Sequence, residues 1–185
     1  MTKTTISLRR WLAAAWMLAA GVTHAADWRP DGFVVQGGVG KDGAGLVGAG
    51  VLWDWDFQLM RRKAELTAHT ELLVNQWRYD ALGGGHASLT QLVLLPTLRI
   101  NFSQGRSPWY LELGIGASWM NKSYVTPDKQ FSTRWNFYDV LGVGYKFGAD
   151  KRHEIGLRYV HISNGGVRKP NPGEDFLQLR YVQRF

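Results

Sequence analysis

The chain has 185 residues, enough for one domain. It has no cysteine, which excludes a disulfide framework, a thiolate nucleophile and a cysteine metal site. The formal charge of +7 comes without a basic cluster of the kind that holds nucleic acid, and a slightly negative mean hydropathy does not suggest a helical membrane protein.

Lys3, Arg9 and Arg10 precede an apolar run from Trp11 to Val22. Thr23-His24-Ala25 then offers small residues at the −3 and −1 positions of a cleavage site. That is the layout of a secretory signal peptide, and the run is shorter than the ~20 residues that span a bilayer. Cleavage is expected after Ala25, with Ala26 as the alternative, so 1–25 is read as a signal peptide and 26–185 as the folded domain.

Beyond Ala26 no helical period of 3.6 holds, and apolar residues recur at every second position between Gly, Asp, Asn and Ser. Strands are predicted over 31–40, with Phe33 and Val35 on one face, over about 43–57, and over about 63–78. In the third, Ala64, Leu66, Ala68, Thr70, Leu72 and Val74 alternate with polar partners. The fourth is predicted over about 87–101, with Leu92, Leu94, Leu98 and Ile100 on one face and Pro96 as the expected place of a bulge. The fifth, over 108–120, alternates Trp109, Leu111, Leu113, Ile115, Ala117 and Trp119 with Tyr110, Glu112, Gly114, Gly116 and Ser118. The sixth, over 134–147, carries Trp135, Phe137, Leu141, Val143, Tyr145 and Phe147. The last two are predicted over 153–163 and 175–185.

Eight such strands, several longer than the ~5–6 residues usual in soluble sheets, suit an all-β, eight-stranded antiparallel transmembrane β-barrel of the bacterial outer membrane. There the strands need ~9–11 residues. One face of the fifth strand is apolar with Trp near both ends, as an aromatic girdle would be, and the other is polar or Gly-rich, as a narrow packed lumen would be. Short polar connections at 60–62, 103–107 and 148–152 alternate with longer ones at 79–86, 121–133 and 164–174, the asymmetry of periplasmic turns and extracellular loops. The alternating last strand ends on an aromatic, Phe185. The competing architecture is a soluble periplasmic barrel of lipocalin type, with its apolar face turned inward around a ligand.

The densest chemistry lies in Tyr159-Val160-His161-Ile162-Ser163-Asn164-Gly165-Gly166 and in Asn171-Pro172-Gly173-Glu174-Asp175. Parity puts His161 and Ser163 on the face of Leu157 and Tyr159. On the last strand Asp175 shares the face of Leu177, Leu179 and Tyr181, while Glu174 takes the other. The two strands are neighbours, so His161, Ser163 and Asp175 are expected to meet on the lipid-facing wall near the outer rim. The chemistry is ester hydrolysis, with Ser163 as nucleophile, His161 as base and Asp175 (alternatively Glu174) as the acid that fixes the imidazole. Backbone at Gly165-Gly166 and the Asn171 amide are candidate oxyanion donors.

At these residues the sequence resembles the lipid A 3-O-deacylase family, known as PagL. The match is His-x-Ser-Asn-x-Gly in His161-Ile162-Ser163-Asn164-Gly165-Gly166, followed by Asn-Pro-Gly at Asn171-Pro172-Gly173. The resemblance implies an outer-membrane serine esterase that removes the ester-linked acyl chain at the 3 position of lipid A, with no metal or other cofactor. His161 and Ser163 carry over directly. The family's Glu, about fourteen residues after the His, falls here on Asp175, with Glu174 one place early. An oxyanion or substrate-binding role carries over to Asn164, Gly166 and Asn171. The implied partner is lipid A (lipopolysaccharide) at the outer leaflet, with no nucleic acid, and a homodimer stays open. Arg78, Lys122, Lys129, Arg134, Arg168 and Lys169 lie in or beside the long loops, where lipid A phosphates would sit. Two other readings remain: a non-enzymatic small outer-membrane barrel and a lipid A acyltransferase.

Overall fold

The computed structural model describes residues 28–185, and the expected signal peptide with both cleavage positions lies outside the described residues. Eight strands follow in order: β1 (Gly32–Gly40), β2 (Gly45–Met60), β3 (Ala64–Asp80), β4 (His86–Phe102), β5 (Trp109–Met120), β6 (Trp135–Phe147), β7 (His153–Ser163) and β8 (Glu174–Arg184). Each pairs antiparallel with the next, and β1 pairs with β8 to close the barrel. Closure leaves no open sheet edge, the condition for sheet in lipid.

The alternation read from the sequence is the alternation of the wall. Leu72, Val74, Leu92, Leu94, Leu113, Ile115, Leu141, Leu157 and Leu179 all stand exposed on the outside. So continuous an apolar belt has to be covered, and here lipid covers it. The inside is the reverse of a lipocalin's. Arg158 donates to both oxygens of Glu71 at 2.9 and 2.7 Å, and its Nε donates to Glu112 at 2.5 Å. Arg180 donates to the same two carboxylates at 2.8 and 2.9 Å. Arg99 holds Glu154 through two bonds of 2.9 Å, and Tyr110 donates to Glu154 at 3.0 Å. Above this charged layer Trp77, Tyr79, Tyr124, Phe131 and Phe176 pack edge to face, with centroids 4.6–5.5 Å apart. The lumen is filled, with charge in its middle and aromatic rings toward the long loops.

Three expectations need correction. Pro96 lies in a continuous strand, paired with Thr70, and no bulge forms there. The β4–β5 ladder skips Leu95 and Pro96 but resumes in the same register, Leu94 opposite Ala117 and Thr97 opposite Gly114, so the missing N–H costs one rung and no extra residue. The irregularity is on β2, where the register shifts between Asp54 and Gln58 and the strand continues to Met60. The loop after β3 is also shorter than expected, because pairing continues through Tyr79–Ala87 and Asp80–His86.

Candidate active site

The site grows from a row of cross-strand pairs. In β7 and β8, His161 stands directly opposite Asp175, and His161 Nδ1 lies 2.7 Å from Asp175 Oδ1. Both face outward, with side chains 40 and 33 % exposed. Period 2 decides this. The residues between them, Val160, Ile162, Glu174 and Phe176, are buried inside.

Glu174 accepts from the Tyr124 hydroxyl at 3.0 Å and from Lys129 Nζ at 3.2 Å. It is on the other side of the wall from His161. Burial pulls the Lys129 ammonium down, but Asp42 and Glu174 outweigh it and leave its pKa raised. Burial, reinforced by Glu174, raises Tyr124. Lys129 is therefore an anchor of the loop 121–134 in the barrel mouth, where it also pairs with Asp42, and is not free for a phosphate.

Ser163 ends β7 on the outward parity, opposite Phe137 of β6, but only 8 % of it is exposed because the following loop turns over it. Its Oγ accepts the Gly165 N–H at 3.4 Å. No hydrogen bond joins Ser163 Oγ to the His161 ring among the described residues; the two are brought to one face of one strand, about 7 Å apart along it.

Asn164 folds that loop. Its Nδ2 donates to Arg168 O at 2.8 Å, Ser132 Oγ at 3.1 Å and Thr133 Oγ1 at 3.2 Å, and its Oδ1 accepts the Gly166 N–H at 2.9 Å. The backbone N–H of Asn164 donates to Asn171 Oδ1 at 3.0 Å. Of the three oxyanion or substrate candidates, Asn164 and Gly166 thus have their donors engaged within the loop. Asn171 Nδ2 has no partner among the described residues. The return limb passes over the imidazole at Gly173, whose φ is +70°. A Cβ there would meet His161 Cε1 at 2.9 Å, so glycine is required both by the backbone and by the ring.

Beside Ser163 an open groove of about 280 Å³ runs down the outer wall between Ala117, Trp135, Phe137 and Val167. At its upper end Arg134 donates from Nε to Met120 O at 2.8 Å and lies over the Trp119 ring at 4.7 Å. A larger groove of about 660 Å³ opens on the β2–β4 side. It contains a second His-x-Ser, His86-Ala87-Ser88, with His86 Nδ1 3.0 Å from Asp80 Oδ1. Those two side chains are 56 and 72 % exposed, and the adjoining Gly83, Gly84 and Gly85 have open space around them. Among the described residues no hydrogen bond clamps a turn beyond Ser88, whereas the smaller groove lies beside the turn that Asn164 folds.

Three residues beside these side chains escape the sequence reading. Ser132 and Thr133 hold Asn164 from a separate loop, and no pattern in the chain announces them. Asp139 stands on β6 directly opposite His161, and its signal is a carboxylate interrupting the apolar face of that strand. Among the described residues no group of three or more His, Cys, Asp or Glu is placed to hold a metal ion.

The family model described as lipid A 3-O-deacylase (PagL) matches residues 45–184. A protein of Bordetella bronchiseptica named lipid A deacylase PagL is 40 % identical over 77 residues, which is 42 % of this chain and 42 % of that protein. Its namesake from Pseudomonas aeruginosa is 27 % identical over 176 residues, covering 94 % of this chain and 98 % of that one. A crystal structure of the outer membrane enzyme PagL superposes with a TM-score of 0.71 at 23 % identity, covering 83 % of this chain and 99 % of that chain, a likeness of fold.

Proposed function

The chain belongs to the lipid A 3-O-deacylase (PagL) family, a family of hydrolases of ester-linked acyl chains on lipid A, and we propose that it does this work as a serine esterase of the outer membrane. The substrate bond is the ester at the 3 position of lipid A. Ser163 Oγ attacks the acyl carbonyl as its proton passes to His161 Nε2. The proton then goes to the departing sugar oxygen, leaving the acyl group on Ser163. Water, deprotonated by the same imidazole, releases the fatty acid and restores the serine. Asp175 holds Nδ1–H, fixes the tautomer and stabilises the imidazolium. Ser163 reaches Nε2 by a rotamer change away from the Gly165 N–H, in keeping with the loose hydrogen bonds of unliganded catalytic sites. Asn171 Nδ2 and the Gly165 N–H are the donors left for the oxyanion, each worth roughly 3–4 kcal/mol of barrier. Asn164 and Gly166 serve by folding the loop.

The carrying observation is the 2.7 Å His161–Asp175 pair on the lipid-facing wall, one step from Ser163 and its apolar groove. With short turns in the periplasm, the site lies at the headgroups of the outer leaflet. The membrane then presents the acyl chain to the groove, and Arg134, Arg168 and Lys169 stand where phosphates lie. Residues 1–25 are the signal that exports the chain.

Mass spectrometry of lipid A from cells expressing the full chain tests this. The expected result is the loss of one 3-linked acyl chain, abolished by Ser163→Ala or His161→Ala and unaffected by His86→Ala. A gain of acyl mass would replace hydrolysis by acyl transfer. Unaltered lipid A in the presence of folded protein would sink both.

A further inference from the structure

The outward residues of β6 are Trp135, Phe137, Asp139, Leu141, Val143, Tyr145 and Phe147, and Asp139 is the one charge among them. It is half-buried, and among the described residues no hydrogen bond or ion pair engages its carboxylate. An unpartnered charge on a wall that faces lipid is costly. Its place in the register gives that cost a use. Asp139 lies directly opposite His161 across β6–β7, as Asp175 does across β7–β8. Side chains so opposed have Cβ atoms about 4.5–5.5 Å apart. His161 is therefore flanked by two carboxylates in one row, of which only Asp175 takes its Nδ1.

We infer that Asp139 is a positioning residue of the esterase, an anion whose field stabilises the His161 imidazolium while Asp175 fixes the tautomer. The inference rests on the proposed serine-esterase mechanism. When the Ser163 proton moves to Nε2, positive charge appears on a ring at the edge of the hydrocarbon, where screening is weak and a nearby anion counts for more than in water. The groups around that ring are Asp139 from β6, Asp175 from β8, Tyr159 and Ser163 on its own strand, and the Gly173 backbone above it.

The test uses the full chain purified in detergent micelles, with Asp139→Asn and Asp139→Glu. Circular dichroism verifies that the barrel is folded. Two rates are followed: acyl release from lipid A, and labelling of Ser163 by a fluorophosphonate, which needs an activated serine but no lipid A. Asp139→Asn is expected to lower kcat about tenfold with KM within about twofold, and to slow labelling in parallel. The acid limb of both rates moves to lower pH, because an imidazolium with one anion fewer gives up its proton more readily. Asp139→Glu restores most of the rate. A folded Asn variant with unchanged rates and an unchanged acid limb overturns the inference. If wild-type protein is labelled at Ser163 but releases no acyl chain, the lipid A reading fails, and the labelling series still decides the role of Asp139. A wild-type Ser163 that does not label overturns both.

Discussion

Asp175 and Glu174 are adjacent and differ by one methylene, yet the wall of the barrel separates them. Asp175 faces lipid and meets His161, whereas Glu174 faces the lumen and holds Tyr124 and Lys129. Asp175→Ala should lower deacylation by roughly 10³-fold or more, the usual effect of losing a triad acid. Glu174→Gln should leave most of the turnover, since the amide oxygen still accepts from Tyr124. Initial rates of acyl release from purified lipid A decide between them. A Glu174→Gln variant as inactive as Asp175→Ala would reverse the assignment. His86 and Asp80 meet in a similar way beside the larger groove. An imidazole and a carboxylate 3.0 Å apart make a polar contact. In the proposed mechanism such a pair makes a catalytic base only where a covered serine and a rigid turn stand beside it.

At the scale of elements, the site depends on two loops with little regular structure. The loop 164–173 is folded around the Asn164 side chain, and the loop 121–134 fixes that side chain through Ser132 and Thr133. The second loop is held in turn by Tyr124 and Phe131 in the mouth and by Lys129 between Asp42 and Glu174. Because the Lys129 pKa is raised, this latch is complete below the ordinary lysine pKa and is lost only as pH climbs through the raised value. Asn164→Ala removes the common partner of Ser132, Thr133, Arg168 O and the Gly166 N–H. Deacylation should fall by about ten- to a hundredfold while the barrel stays intact. Trypsin should then cut at Arg168 faster than it cuts the wild-type chain. A variant with wild-type rate and wild-type resistance would show that the loop holds its shape without Asn164.

The whole molecule is a barrel turned inside out relative to a soluble protein. Lipid solvates the outside, and the packing that resists collapse is a cluster of ion pairs. Buried ion pairs are poor sources of net stability, but removing one partner is expensive because it strands the others. Glu71 accepts from both Arg158 and Arg180 and contacts His69 at 2.9 Å. Glu71→Ala should therefore cost about 3–5 kcal/mol, read as a lower urea midpoint in micelles, with no direct effect on Ser163. A midpoint within error of wild type would mean that the remaining carboxylates, Glu112 and Glu154, suffice for the arginines.

The strands, their faces and the barrel they close into are legible in the residue pattern, because a wall between lipid and a packed lumen writes period 2 into nearly every segment. That pattern also put His161, Ser163 and Asp175 on one face, since parity is a property of counting along a strand. The Pro96 expectation failed for a related reason. A missing N–H marks a lost rung in a sequence, but whether a register shifts depends on the partner strand. Tertiary structure alone decided that Ser163 is covered, that Asn164 and Gly166 spend their donors inside the loop, and that Ser132 and Thr133 reach across to hold it. Loops obey no period, and their contacts come from whatever the barrel mouth brings within hydrogen-bond distance. Asp139 lies between the two cases. Its carboxylate breaks a visible pattern, but only the β6–β7 register shows that the break falls beside His161.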